Sequence, residues 1–398
     1  MAKHIVCIRF NIRHTNLHAS SLRNMAGIYI HIPFCKQACH YCNFHFSTGT
    51  GNRDAMINAI VKEIEIRKHT LRSPIETIYF GGGTPSILDA ASIDAMIQTI
   101  YRHYNISSHP EITLEANPDD ITKTKAGDWK SMGINRFSIG IQSFSNQHLQ
   151  WMNRAHNALQ SLACIETIRH AGFENFSIDL IYGTPGQSMD DWDKDLEQAI
   201  DLEIPHLSCY ALTVEQETPL FNLIKKGKKE NTNSDLQAEE FQLLVSKSRS
   251  AGYRHYEISN FALPGMESKH NSSYWSGNPY LGFGPSAHSF LDHTRSWNIS
   301  NNIEYIRSIE KNERSFESEQ LSENDMFNEY IMTGLRLDEG VSSNWIKENW
   351  GIDQLEKIES KLLRHIESGN VINTPEGWKL TDQGKFLADG IAADLFQV

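Results

Sequence analysis

Six short runs are dominated by β-branched and aromatic side chains: residues 27–32 (GIYIHI), 75–80 (IETIYF), 111–116 (EITLEA), 136–142 (RFSIGIQ), 175–182 (NFSIDLIY) and 206–212 (HLSCYAL). Runs this short and this apolar read as strands, and they recur at intervals of about 25 to 50 residues. Between them the apolar period changes to that of a helix. In residues 91–104, Ile93, Met96, Ile97, Ile100, Tyr101 and Tyr104 fall at i, i+3, i+4, i+7, i+8 and i+11, one stripe to lay against a sheet. Strand–helix–strand alternation implies parallel strands joined by right-handed crossovers. Six units predict an α/β fold built as a partial (β/α)6 barrel, with a doubly wound sheet as the alternative.

Each of these strands leads into polar or glycine-rich sequence. The first runs into three cysteines, the second into GGGTPS, the third into Glu115 and EANP. The fourth ends at Gln142 and Ser143, the fifth in YGTPGQ and the sixth near Ala211. The carboxyl ends of barrel strands are where active sites are built, so this rim is the candidate site.

Beyond residue 213 the alternation stops. Residues 224–235 (IKKGKKENTNSD) read as a solvated basic loop, and residues 238–253 as a helix ending at Gly252. From about residue 320, short helices and the hairpin VINTPEGWKLT suggest a C-terminal helical domain of winged-helix type. The resulting division is 1–24 leader, 25–215 barrel, 216–315 barrel extension and 316–398 C-terminal domain.

Charge narrows the functions available. The net charge is −12, and residues 321–398 carry seven Lys and Arg against fourteen Asp and Glu. That balance argues against nucleic acid as a partner and favours a packing or docking role for the last domain. Apolar stretches fall short of a membrane span, leaving at most peripheral membrane contact. Three of six cysteines are clustered, which resembles metal binding in a reducing, cytoplasmic compartment rather than a disulfide framework. The other three, Cys7, Cys164 and Cys209, sit in apolar contexts and read as small buried hydrophobes. Residues 1–24 hold four basic residues and no acidic one. They read as translation from upstream of the real start, Met25, or as an organellar transit segment.

Cys35, Cys39 and Cys42 form C-x3-C-x2-C with no fourth cysteine nearby. Three thiolates can hold three corners of a 4Fe–4S cluster and leave one iron open to an outside ligand, as this spacing does in radical S-adenosylmethionine proteins. A zinc site completed by His31, His40 or His45 is the rival. The three glycines at 81–83 let backbone approach a ligand closely. Glu115 and Asp179 are candidates to accept hydrogen bonds from ribose hydroxyls or an ammonium, and Arg154 to grip a carboxylate as a fork.

Several stretches together carry a resemblance: YIHIPFCKQACHYCNF, YFGGGTPS, LEANPDD, NRFSIGIQSF, NRAHNA, IDLIYGTPGQ, HLSCYALT, the run from YEISNF to GPSAHSF, and GLRLDEGV. They resemble the radical S-adenosylmethionine family of oxygen-independent coproporphyrinogen III oxidases, and more closely its haem-chaperone branch. The likeness covers nearly everything from Met25 onward. Two departures separate the chain from the oxidases. Phe44 stands where they usually carry a further cysteine, and only 34 residues precede Cys35. HNSSYW, His270 to Trp275, resembles the H-N-x-x-Y-W signature of the chaperone branch.

The resemblance implies that Cys35, Cys39 and Cys42 hold a 4Fe–4S cluster. It implies an S-adenosylmethionine shell of Tyr29, Tyr41, Gly82, Gly83, Thr84, Glu115, Gln142, Arg154, Asp179 and Ala211. His270 becomes a candidate haem ligand, with a loop-stabilising histidine as its plainer role. The implied function is a haem chaperone that hands haem to membrane respiratory proteins. Oxidative decarboxylation of coproporphyrinogen III is the enzymatic alternative, and a structural zinc or iron–sulfur protein the third. Homodimerisation is left open.

Overall fold

In the computed structural model, which describes residues 26–397, six parallel strands run in sequence order. They are β1 (Ala26–Ile32), β2 (Ile75–Gly82), β3 (Ile106–Ala116), β4 (Arg136–Gln142), β5 (Phe176–Tyr182) and β6 (His206–Ala211). All six expected strands are present. The order 1-2-3-4-5-6 is that of a barrel wound in one direction, because a doubly wound sheet would reverse partway. The alternative is thereby excluded. The readings of residues 1–24 and of Cys7 lie outside the described residues.

The connecting helices are α1 (Arg53–Ile66), α2 (Ala90–His103), α3 (Lys123–Ser131), α4 (Asn146–Trp151), α5 (Ala158–His170) and α6 (Met189–Asp201). Side-chain oxygens cap the starts of several of them: Asp89 accepts from Ser92 N, and Asn157 and Ser188 open capping boxes. The α2 stripe packs as expected at Ile93, Met96, Ile97, Ile100 and Tyr104. Tyr101 does not, because at i+8 it sits at the margin of the stripe and stays exposed. Cys164 and Cys209 are buried, as small hydrophobes are.

The sheet grows at both edges with short strands that the apolar pattern had not shown. At the β6 edge, β8 (Asn260–Ala262) pairs antiparallel and carries β7 (Arg254–Glu257). At the β1 edge, β9 (Tyr280–Phe283) is a seventh parallel strand, followed by antiparallel β10 (His288–Leu291), β11 (Thr294–Asn298) and β12 (Phe316–Gln320). Helices α7 (Pro219–Lys225), α8 (Ser234–Ser250), α9 (Lys269–Trp275) and α10 (Asn302–Glu310) belong to this extended body. Because β12 still pairs with β11, the sheet runs to residue 320.

A second hydrophobic core gathers from Phe327 to Leu395. Its order is helix α11 (Glu323–Arg336), strand β13 (Val341–Ser342), helices α12 (Ser343–Trp350) and α13 (Ile352–Glu367), then the β14 (Val371–Asn373) and β15 (Gly377–Leu380) hairpin. That is the winged-helix order. Helices α14 (Asp382–Phe386) and α15 (Ala388–Leu395) follow. Among the described residues no helix is long and apolar enough to cross a membrane.

Candidate functional site

A cavity of about 650 Å³ opens at the carboxyl ends of the parallel strands. All three clustered cysteines line it. The cysteine loop is held from outside, having little regular structure of its own. Cys35 N donates to Ser47 O at 3.0 Å, and Gln37 Nε2 donates to Asn153 O at 3.0 Å. Asn153 Nδ2 returns a bond to Ala38 O at 2.7 Å. Lys36 pairs with Asp119 and Asp120.

Two donors are aimed at sulfur: Thr84 Oγ1 reaches Cys35 Sγ at 3.3 Å, and Arg154 Nη1 reaches Cys39 Sγ at 3.3 Å. Burial pushes the Cys35 thiol up and the Cys42 thiol up to about 11. Thiols this reluctant to ionise need a cationic partner before they act as ligands. Among the described residues no three His, Cys, Asp or Glu side chains converge as a single-ion site. Of the histidines proposed for zinc, His31 is bonded through both ring nitrogens, Nδ1 meeting Tyr29 OH, and His40 and His45 through one each. His31 Nε2 donates to His45 O at 2.8 Å, His45 Nε2 to Asn302 Oδ1 at 2.7 Å, and His40 Nδ1 to Trp151 O at 3.1 Å. Three thiols that line one cavity without converging on a single point fit a multi-iron cluster that takes one thiolate per iron better than a closed four-ligand zinc site.

The opposite chemistry sits deeper. Glu115 accepts from Tyr79 OH at 2.8 Å, and burial pushes its carboxyl up to about 8. Asp179 accepts from Ser138 Oγ at 3.2 Å and is pushed up to about 6, again by burial. Neither has an ion-pair partner among the described residues, so a cationic, hydroxyl-bearing ligand suits both.

Tyr41, Gly82, Gly83, Thr84, Gln142, Arg154 and Ala211 also line the cavity. Gln142 ends β4 in the left-handed region at φ 67°, where a bulge interrupts pairing with β5. That conformation costs a side-chain-bearing residue energy, and here it falls on the cavity rim.

Four expectations change in detail. Arg154 is not a free carboxylate fork. Beyond Cys39, Nη1 contacts Tyr41 OH at 3.4 Å, and Nη2 holds Asn117 Oδ1 at 2.7 Å and Gly140 O at 2.8 Å, so the guanidinium clamps the cysteine loop to β3 and β4. The glycines are needed first for packing. A Cβ on Gly83 would stand 2.7 Å from Phe34 O, and one on Gly82 (φ 105°) would stand 2.6 Å from the His31 ring. Tyr29 lies behind the cavity wall, stacked on Tyr79 at 6.1 Å with its hydroxyl on His31 Nδ1 at 3.1 Å.

His270 is buried away from the cavity as well. Its Nδ1 meets Thr77 Oγ1 at 2.7 Å, its Nε2 meets Tyr274 OH at 2.8 Å, and its ring stacks on Tyr79 at 4.9 Å. Burial lowers its pKa to about 3, so the ring is neutral. Both nitrogens are occupied, which is the loop-stabilising role: His270 pins α9 to β2. Its neighbour Asn271 is the member of HNSSYW that lines the cavity.

Other lining residues had escaped the sequence reading. Gly140 was detectable as a glycine inside a strand, where a Cβ would fall 3.0 Å from Arg154 Nη2. Arg336, Lys385 and Phe386 reach the cavity from the C-terminal unit, more than 120 residues after β6, and carried no local signal.

A partial barrel whose carboxyl rim gathers three thiols and two cation-seeking carboxyls defines the radical S-adenosylmethionine class. The profile of the Radical SAM superfamily matches residues 29–199, and that of the HemN C-terminal domain matches residues 321–387. The heme chaperone HemW of Bacillus subtilis is 36% identical across 92% of this chain and 98% of its own length. HemW of Mycobacterium tuberculosis H37Rv is 30% identical, covering 93% and 94%. A mitochondrial radical S-adenosyl methionine domain-containing protein 1 from Danio rerio is 32% identical, covering 92% and 86%. The solved coproporphyrinogen III oxidase HemN of Escherichia coli shares the fold at a TM-score of 0.82 and 21% identity, over 95% of this chain and 92% of that one. This chain belongs to the HemW family of radical SAM proteins.

Proposed function

We propose that this chain is a haem chaperone that binds haem and passes it to membrane-embedded respiratory proteins. Cys35, Cys39 and Cys42 would hold a 4Fe–4S cluster, and Glu115, Asp179, Gln142 and Ala211 would line the S-adenosylmethionine seat. When bound, the cluster supplies an electron to, or simply binds, the sulfonium ligand. The chain's own part is to keep that region dry, to hold the loop through Arg154 and Asn153, and to offer two carboxyls to a cation. The cytoplasm fits the reducing chemistry of the thiols.

The observation that carries this reading is the likeness to relatives described as heme chaperones over nearly their whole length. Phe44 supports it: the residue two positions past Cys42 is an exposed ring on the cavity wall, not a further thiol. The test is a paired assay on one anaerobically reconstituted sample. Haem titration should produce a Soret band, and coproporphyrinogen III with a strong reductant should remain unconverted. Turnover to protoporphyrinogen would replace the chaperone reading with the oxidase one.

His270→Ala belongs in the same assay. Because both ring nitrogens are internally bonded, the variant is expected to keep the Soret band. It should lose about 2–4 kcal/mol of stability from the cavity and from unpaired Thr77 and Tyr274 hydroxyls. A lost band with an unchanged Tm would restore His270 as the ligand.

Glu115 gives the pH dependence a sign. Its raised pKa means that folding favours the neutral carboxyl, a contribution present below ordinary glutamate values and lost as pH rises through about 8. A cationic ligand favours the ionised form. S-adenosylmethionine affinity should therefore rise with pH between about 5.5 and 7.5, by up to roughly tenfold per unit, below the range where the ligand's own amino group titrates. Calorimetric titrations of the cluster-loaded protein and of Glu115→Gln would check it. A slope equal in both proteins rules Glu115 out as the group responsible.

A further inference from the structure

The outer wall of the cavity comes from the C-terminal unit, and neither the cluster nor the S-adenosylmethionine seat uses it. Lys385, on α14, lines the cavity although only 6% of it is exposed. Its ammonium has one hydrogen-bond partner, His255 Nδ1 at 3.2 Å, and no carboxylate among the described residues lies within ion-pair distance. An ammonium only donates, so His255 Nδ1 accepts. The ring's other nitrogen then carries the hydrogen that it gives to Ile258 O at 3.0 Å. Stacking on Phe261 at 4.0 Å between ring centres fixes that orientation.

The acids nearest in effect are already committed. Asp338 Oδ1 binds Lys379 Nζ at 3.3 Å, and both oxygens of Asp382 bind Arg249 Nη2, at 3.0 and 2.9 Å. Burial lowers the Lys385 pKa, as expected for an ammonium without a counter-ion. Exposed rings of Phe44, Tyr210 and Phe386 line the same cavity. Aromatic faces beside a desolvated, unpaired cation describe a seat for a flat apolar molecule with an anionic edge.

We infer that Lys385 is the carboxylate-binding residue of this cavity, pairing with an acidic side arm of a planar tetrapyrrole whose ring lies against the aromatic wall. The inference rests on the haem reading and deepens it. An acid group there would give the buried ammonium the partner that the chain itself withholds. The thiols enter on the loop after β1, whereas Lys385 stands against His255 of the β7–β8 hairpin.

The test uses full-length reconstituted protein titrated with haem and with haem dimethyl ester, whose two acid groups are capped. Wild type should prefer the diacid by roughly ten- to a hundredfold, the worth of a charge-assisted hydrogen bond. Lys385→Met should lose most of that preference by weakening only the diacid, and Lys385→Arg should keep it. The Met variant should fold with an unchanged or higher Tm, since it removes an uncompensated buried charge. Three results overturn the inference: wild type with no preference, Lys385→Met with the preference intact, or Lys385→Met losing both ligands together with its Tm. A wild type that binds neither ligand fails differently, because it removes the haem reading itself and the inference with it.

Discussion

Glu63→Ala is expected to lower the Tm of the large body by on the order of 5–10 °C, although Glu63 lies outside the cavity. The carboxylate is wholly buried and surrounded by donors: Arg67 Nη1 at 3.1 Å, Gly284 N at 3.0 Å, Asn298 Nδ2 at 2.9 Å and Tyr305 OH at 2.7 Å, with Arg314 Nε at 3.5 Å. These groups come from α1, the β9–β10 turn, the end of β11, α10 and the segment before β12. One side chain thus fastens the added edge of the sheet to the barrel. Deleting it leaves the buried Arg67 guanidinium without its carboxylate, held by Gly282 O, Ser289 Oγ and the face of Phe283. Breaking a buried pair from one side costs about 3–5 kcal/mol, and a large domain shifts by about 2–4 °C per kcal/mol at most. Glu63→Gln should recover only part, because every neighbour donates and a carboxamide must turn its own NH2 toward one of them. Thermal melts followed by near-ultraviolet circular dichroism would resolve this. The separate C-terminal core should melt where it did before, and a Glu63→Ala midpoint within a degree or two of wild type would refute the account.

That cluster also shows where sequence reading stops. The central strands were legible because parallel strands covered on both faces are written as nearly unbroken apolar runs, and β4 is buried at all seven positions. The edge strands carry no such mark. Phe316–Gln320 is exposed along its whole length, and Thr294–Asn298 is mostly half-buried and polar. They exist because β10 offers an edge and Glu63 offers a carboxylate, and neither fact is local. The site divides in the same way. The cysteines, Glu115 and Asp179 sat directly after or within recognisable strands, so the barrel rule placed them. HNSSYW drew attention to His270, but its contacts with Thr77, Tyr79 and Tyr274, which hold the ring inside the fold, could not be read from that motif. Glycines 81–83 invited a ligand reading because a missing side chain leaves no trace of what fills its space, and here the fillers are Glu115, Tyr79 and Tyr29 at Gly81, the His31 ring at Gly82 and the Phe34 backbone at Gly83. Lys385 was one charge in an acidic tail until folding brought it against His255 with no acid free to meet it.

Replacing any one of Cys35, Cys39 or Cys42 with alanine should abolish the cluster while leaving the fold. Two thiolates cannot hold three irons, and among the described residues no further cysteine lines the cavity to replace the one lost. Iron and acid-labile sulfide should fall below roughly a tenth of wild type, and S-adenosylmethionine binding should fall with them. The three variants should differ in what remains. Cys39 and Cys35 receive bonds from Arg154 and Thr84, so their loss frees donors as well as a ligand site. Among the described residues Cys42 has only local backbone contacts, its own N to Cys39 O at 3.4 Å and the Phe44 backbone against its thiol, and no side-chain donor is freed by its loss. Stability should therefore change least in Cys42→Ala, while its iron content falls as far as in the others. Thermal melts and iron analysis on the same anaerobic samples separate the two effects. A Cys42→Ala protein that retained its full iron and sulfide would mean that the metal is held by something other than this loop. The vacant coordination position inferred from three cysteines and no fourth would then have no basis.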